Sequence, residues 1–177
     1  GSNLTGYDAD IYNFRSSADA GTADNYSNPY VLIQRANTVL ENLGLAGTDA
    51  IKNKYEGEAR FLRALGHFDV VKFFAQPYGF TADNSHAGVV IKTTSAFEGS
   101  RSRNTVADVY TAILNDLRAA SNLLPASNGN YYANQNAARA LLARVYFEMN
   151  RFDSAYYYSN LVITAGTATF DNTAGFV

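Results

Sequence analysis

The sequence predicts an all-α fold built from irregular antiparallel helix pairs with long loops. Three observations carry this. Apolar residues recur at three- and four-residue spacing in several segments of 13 to 28 residues. Helix punctuation falls at the ends of those segments: Asn28-Pro29, Thr48-Asp49, Pro77, Thr105-x-x-Asp108 and Pro125. Period-two alternation is almost absent; the nearest approach to a strand is Val89-Val90-Ile91.

The first helix is expected at about 28–43. Asn28 can cap it and Pro29 suits a first helical position. Tyr26, Tyr30, Ile33, Asn37 and Leu40 then share a face, and Gly44 ends it. The second helix is expected at 49–76, capped by Thr48-Asp49. One apolar row holds Tyr55, Ala59, Leu62, Gly66, Val70 and Phe73; another holds Phe61, Ala64, Phe68, Val71 and Ala75. Two apolar rows imply a helix held between neighbours. The narrow stripe Lys52, Glu56, Arg60, Arg63 and His67 is expected to face solvent.

Residues 77–104 form a long connection, a length that often signals function. A third helix follows at 105–123, with Thr105 and Asp108 as a capping-box-like start. Residues 125–134 are turn-forming, with Asn128-Gly129 and an exposed pair, Tyr131-Tyr132. The last helices are expected at 136–149 and 153–165; the short turn between them makes them antiparallel neighbours. Tyr146, Phe152 and Ala155 stand at places typical of a tetratricopeptide unit, so this pair is similar to one. Residues 1–25 read as loop, or as one short helix near 7–16, and 166–177 as loop.

Composition excludes several functions. The chain has 177 residues, 47% hydrophobic and 17% charged, enough for one domain with a real core. Net charge is −2, so no basic field serves nucleic acid. No cysteine exists, which removes disulfides, thiolate metal sites and cysteine nucleophiles. No apolar run approaches a membrane span. His86 lacks a metal-ligating neighbour, Asp8 and Asp10 lack calcium-loop spacing, and no hydrolase, phosphate-loop or dinucleotide motif occurs. No enzyme, metal or cofactor is expected. With 13 tyrosines and 11 phenylalanines but no tryptophan, the rings serve helix packing or a carbohydrate surface.

Several polar residues have structural readings. Asn37 lies on the apolar face of helix one and should bond neighbouring backbone. Glu58, near Tyr55 and Leu62, needs a partner: helix one, or a later arginine such as Arg139 or Arg144. Arg63 belongs with Glu58 in this charged cluster, and Asp116 should act as Asn37 does.

Four phrases then stand in order: Tyr30-x-x-Ile33-x-x-x-Asn37; Gly57-Glu58-Ala59-Arg60-Phe61-Leu62-Arg63-Ala64; Val109-Tyr110-x-x-Ile113-x-x-Asp116-Leu117; and Ala137-Ala138-x-Ala140-Leu141-Leu142-Ala143-Arg144-Val145-Tyr146. Together they resemble the helical half of the SusD/RagB family of outer-membrane, surface-exposed nutrient-binding lipoproteins. The resemblance runs from about Tyr26 to Thr169 and implies a single helical domain, 1–177, from a longer protein. It implies non-catalytic oligosaccharide capture beside a TonB-dependent, SusC-like transporter. It also implies a lipid anchor outside this chain, cut away together with any leader before Gly1-Ser2. A tryptophan often stands in the family where Tyr26 stands here, flanked by Asp24, Asn25 and Asn28. Tyr26 is therefore the leading ligand candidate, although its spacing also suits the core face. Tyr78, Phe80 and Phe97 in the long connection are either further ligand contacts or covers for helix two. The alternative function is a tetratricopeptide-like scaffold for protein partners.

Overall fold

A computed structural model describes residues 20–97, 99, 101–129 and 131–165. Among the described residues five α-helices run in chain order: α1 (Ala20–Glu41), α2 (Asp49–Phe74), α3 (Val106–Leu123), α4 (Gln135–Glu148) and α5 (Phe152–Thr164), with a 3-10 turn at Leu43–Leu45. The expected short helix near 7–16 and the tail lie outside the described residues.

Local chemistry explains three of the helix starts. The Thr48 hydroxyl accepts the Ile51 N–H, the Thr105 hydroxyl the Asp108 N–H, and the Asn134 amide oxygen the Ala137 N–H. α2 stops at Phe74, three residues before Pro77. For α2 to α5 the expected boundaries hold to within two residues.

The first helix differs. It begins at Ala20, so Pro29 sits inside it and Asn28 is an exposed mid-helix residue rather than a cap. A proline forfeits one ladder bond, and packing here outweighs that loss. The Tyr26 ring, one turn before Pro29, meets Phe74 edge-on at 5.1 Å and lies 5.0 Å from Tyr30. Close approach helps as well. A Cβ on Gly66 would stand 2.8 Å from Ile33 and 3.0 Å from the Pro29 carbonyl oxygen, so glycine lets α1 and α2 touch.

Each helix packs on the next: α1 on α2, α2 on α3, α3 on α4, α4 on α5. The first two pairs are antiparallel. Along α2, Arg63 meets Asn37 and Phe74 meets Tyr26; Arg63 also meets Asp116, and Phe68 meets Tyr110. The main core lies between α2, α3 and α4 around Phe68, Ile113, Leu117, Leu142 and Val145, all essentially buried. Burial of such side chains contributes about 1.5–3 kcal/mol each.

Two expectations about α2 are corrected. Only Ala59, Gly66 and Val70 of its first apolar row are buried; Tyr55 and Leu62 are exposed, and Phe73 is 75% exposed. Conversely, the stripe assigned to solvent turns inward at His67, which is 2% exposed, and Arg63 is largely buried. The reason is the long connection. Residues 86–97 cross over this side of α1 and α2 and supply backbone polar groups for it. The stretch Val89–Ile91 does not become a strand. Among the described residues a single antiparallel bridge, Ala87 with Thr105, stands where a sheet would start.

Candidate functional site

The connection and the first helix enclose a groove of about 480 Å³, lined on one side by Tyr26, Ser27, Tyr30, Val31 and Gln34. These positions share one face of α1. Val90, Lys92, Phe97, Gly99 and Arg101 form the opposite wall. The size suits a small-molecule or oligosaccharide fragment.

The two sides present distinct chemistry. Phe97 is 91% exposed, a flat apolar ring open to solvent. Tyr26 is 41% exposed; one part of its ring is packed and the rest faces the groove. The ring thus belongs to the α1–α2 contact, as its spacing suggested, and also lines the groove. The Tyr30 hydroxyl donates to the Val90 carbonyl at 2.9 Å. Burial pushes this phenol far above its ordinary value, so it stays a donor at any physiological pH.

The wall is held by side chains. His67 donates from Nδ1 to the Arg63 carbonyl at 2.9 Å and accepts the Lys92 N–H on Nε2 at 3.1 Å. These partners require the neutral ring, and burial pushes its value down to about 4. Asn37, fully buried, donates to the Lys92 and Thr94 carbonyls, both at 3.1 Å, and accepts from Arg63 at 2.9 Å. Arg63 forks onto Asp116 with two bonds of 2.7 Å, and Arg60 adds a third at 3.1 Å. Asn37 therefore bonds backbone as expected, though of a segment 55 residues away. Asp116 instead anchors a buried ion pair. On the far flank Arg103 donates to the carbonyls of Phe74 at 2.7 Å, of Ala87 at 3.1 Å and, more closely, of Gly88.

The structure joins Tyr26 and Phe97 and separates the other sequence candidates from them. Asn25 and Asn28 are exposed on α1 outside the lining. The Asp24 side chain lies outside what is described. Tyr78 packs on Tyr110 at 5.0 Å, covering the core. Phe80 stands edge-on to His86 at 5.4 Å, also outside the groove. Among the described residues Glu58 makes no hydrogen bond to α1, Arg139 or Arg144, although it borders α1 beside Leu32, Arg35 and Ala36. It accepts from Asn128 at 2.6 Å and so ties α2 to the 125–134 turn. Arg139 donates to Asn136 at 3.3 Å, and the Arg144 guanidinium lies over the Phe68 ring at 5.9 Å. Gln34, Lys92 and Arg101 were not among the sequence candidates. A signal for Gln34 existed: Tyr30, Gln34, Asn37 and Glu41 form one polar stripe of α1.

Comparison with known proteins agrees with this architecture. The family model for SusD-like proteins, described as starch-binding associating with outer membrane, matches residues 3–147. The chain is similar to a SusD superfamily protein of Bacteroides fragilis at 30% identity and a TM-score of 0.74, covering 86% of this chain and 37% of that one. A SusD superfamily protein of Bacteroides thetaiotaomicron VPI-5482 is 29% identical with a TM-score of 0.72, over 78% and 31%. One from Bacteroides vulgatus ATCC 8482 shares the fold at a TM-score of 0.82 and 24% identity, over 96% and 40%. The chain thus spans between three and four tenths of the length of these structures. No curated protein matches. The match over residues 3–147 takes in most of the sequence and all but the last of the helices: the chain belongs to the SusD-like family.

Proposed function

We propose that this chain is the helical domain of a longer cell-surface protein that captures oligosaccharides without chemistry. The protein works on the outer membrane, tethered by a lipid anchor, and passes its ligand to a TonB-dependent, SusC-like transporter. The observation that carries the reading is the groove that sets Tyr26 and Phe97 across from each other beside Gln34 and Lys92. Sugar recognition needs these parts. The C–H face of a pyranose lies against an aromatic ring, while amide and ammonium donors bond its hydroxyls. The family description points to α-glucan as the first ligand to try. The remainder of the longer chain would extend the site, and the layered helices would give a rigid surface for the barrel.

Titration calorimetry with maltoheptaose tests the binding. Phe97→Ala should weaken it about tenfold with an unchanged Tm, because an exposed ring holds nothing up. Tyr26→Ala should weaken it similarly and also lower Tm by several degrees, since its ring packs on Phe74. A Phe97→Ala protein that binds as wild type would remove this groove from consideration. Capture of a TonB-dependent barrel from detergent-solubilised outer membranes, identified by mass spectrometry, tests the partnership; recovery of soluble proteins alone would favour a protein-binding scaffold.

A further inference from the structure

We infer that Glu41, Asn37 and His67 are positioning residues for the groove: they set its width and ligand affinity without touching the ligand. The inference rests on the sugar-binding reading of that groove. Its basis is how segment Val90–Phe97 is held. Burial is incomplete: Val90, Ile91, Lys92, Thr94 and Ser95 are half-buried, with Ile91 against the main core, Thr93 and Ala96 are exposed, and Phe97 is almost wholly exposed. Sheet pairing does little, since the one bridge among the described residues lies before the segment, at Ala87.

Side chains hold it: Asn104 accepts the Ile91 N–H at 2.9 Å, and a row on α1, its members one helical turn apart, takes most of the rest. Tyr30 takes the Val90 carbonyl at 2.9 Å. Asn37 takes the Lys92 and Thr94 carbonyls, while His67 of α2 takes the Lys92 N–H. Gln34 donates to the Ser95 carbonyl at 3.2 Å. Glu41 closes the row, accepting the Ser95 N–H at 2.8 Å and, in a short bond, the Ser95 hydroxyl. These bonds keep the Glu41 carboxyl below its ordinary value, so it is charged at neutral pH. α1 therefore does two jobs. Its residues 26–34 line the groove, and its residues 30–41 grip the backbone of the facing wall. Both the N–H and C=O of Lys92, and both the N–H and C=O of Ser95, are fixed. Phe97 follows two residues after the last rung, so its ring position is inherited from these bonds. A wall fixed before the ligand arrives costs less ordering entropy on binding.

Glu41 is the cleanest probe, because it is exposed and outside the lining. Glu41→Ala and Glu41→Gln would be compared with wild type by amide hydrogen exchange, by maltoheptaose calorimetry and by Tm. For Glu41→Ala the expected result is Ser95 exchange at least about tenfold faster, a Kd raised about fivefold, and an unchanged Tm. Glu41→Gln keeps an acceptor oxygen and should recover most of both. A Glu41→Ala protein with wild-type affinity overturns the inference while leaving the sugar reading intact, and so does an unchanged Ser95 exchange rate. Wild-type protein that binds no maltoheptaose overturns the sugar reading and this inference with it.

Discussion

Acid should destabilise this fold through His67, by an amount its surroundings set. The ring is 2% exposed, with Nδ1–H spent on Arg63 and Nε2 on the Lys92 N–H. A proton on Nε2 would lose the Lys92 bond and place a cation beside the Arg63 guanidinium, with Asp116 as the opposing charge. Burial is the largest cause, and the folded ring takes its proton only near pH 4 against an ordinary value of 6.5. Between those values the unfolded chain binds more protons than the folded one, so stability rises with pH there. The contribution is fully present above pH 6.5, drains as the pH falls, and is gone below pH 4. From pH 8 to pH 5 the loss is about 2 kcal/mol, at ~1.4 kcal/mol per pH unit once the unfolded ring is protonated. Urea unfolding followed by helical circular dichroism at the two pH values would measure it. Other titrating groups contribute to any raw difference, so the readout is wild type minus His67→Gln. The variant should show a pH effect smaller by about 2 kcal/mol. Equal pH effects in the two proteins would refute a buried neutral ring at this position.

Two further substitutions test the packing. Asp116→Ala removes the carboxylate that holds Arg63 and Arg60 and leaves a largely buried guanidinium unpaired; a loss of about 3–5 kcal/mol in urea unfolding is expected, and a loss below ~1 kcal/mol would show that the network is solvated. Gly66→Ala forces a methyl to within 3.0 Å of the Pro29 carbonyl and closer still to Ile33; about 1–3 kcal/mol should be lost, and a neutral result would mean that α1 can slide on α2.

The helices were legible because their signals are local. Thr48 and Thr105 cap where they stand, and three- and four-residue spacing places Phe68, Ile113 and Leu142 inward whatever surrounds them. The misreadings share one cause, which is a partner distant in sequence. Pro29 looked like a helix start because a proline's usual place is local knowledge; that Tyr26 finds Phe74, 48 residues on, is not. His67 and Arg63 looked solvated because amphipathicity has two categories, apolar inside and polar outside. Here the inside of that face is a peptide backbone, which welcomes a polar stripe. Glu58 was rightly read as needing a partner, and the partner is Asn128, 70 residues away in a turn whose path no periodicity reveals.

The same logic explains why the groove could be read only in part. Tyr26 was reachable through the resemblance, as the place where the family often carries a tryptophan, and Phe97 only as one of three aromatic rings in the long connection. Which of Tyr78, Phe80 and Phe97 would face Tyr26 depends on where the connection turns. That turn is dictated by bonds spanning 54 to 61 residues, from Tyr30, Gln34, Asn37 and Glu41 to the backbone of 90–95. Each donor and acceptor is an ordinary surface residue in the sequence. Their common purpose shows only as a stripe at intervals of four, three and four along α1, beside a loop too long to be idle. A polar stripe on a helix next to such a loop is therefore as informative as an apolar one. The apolar stripe says that something packs there; the polar stripe says that a backbone is being held, and a backbone held away from sheet pairing is available to shape a site.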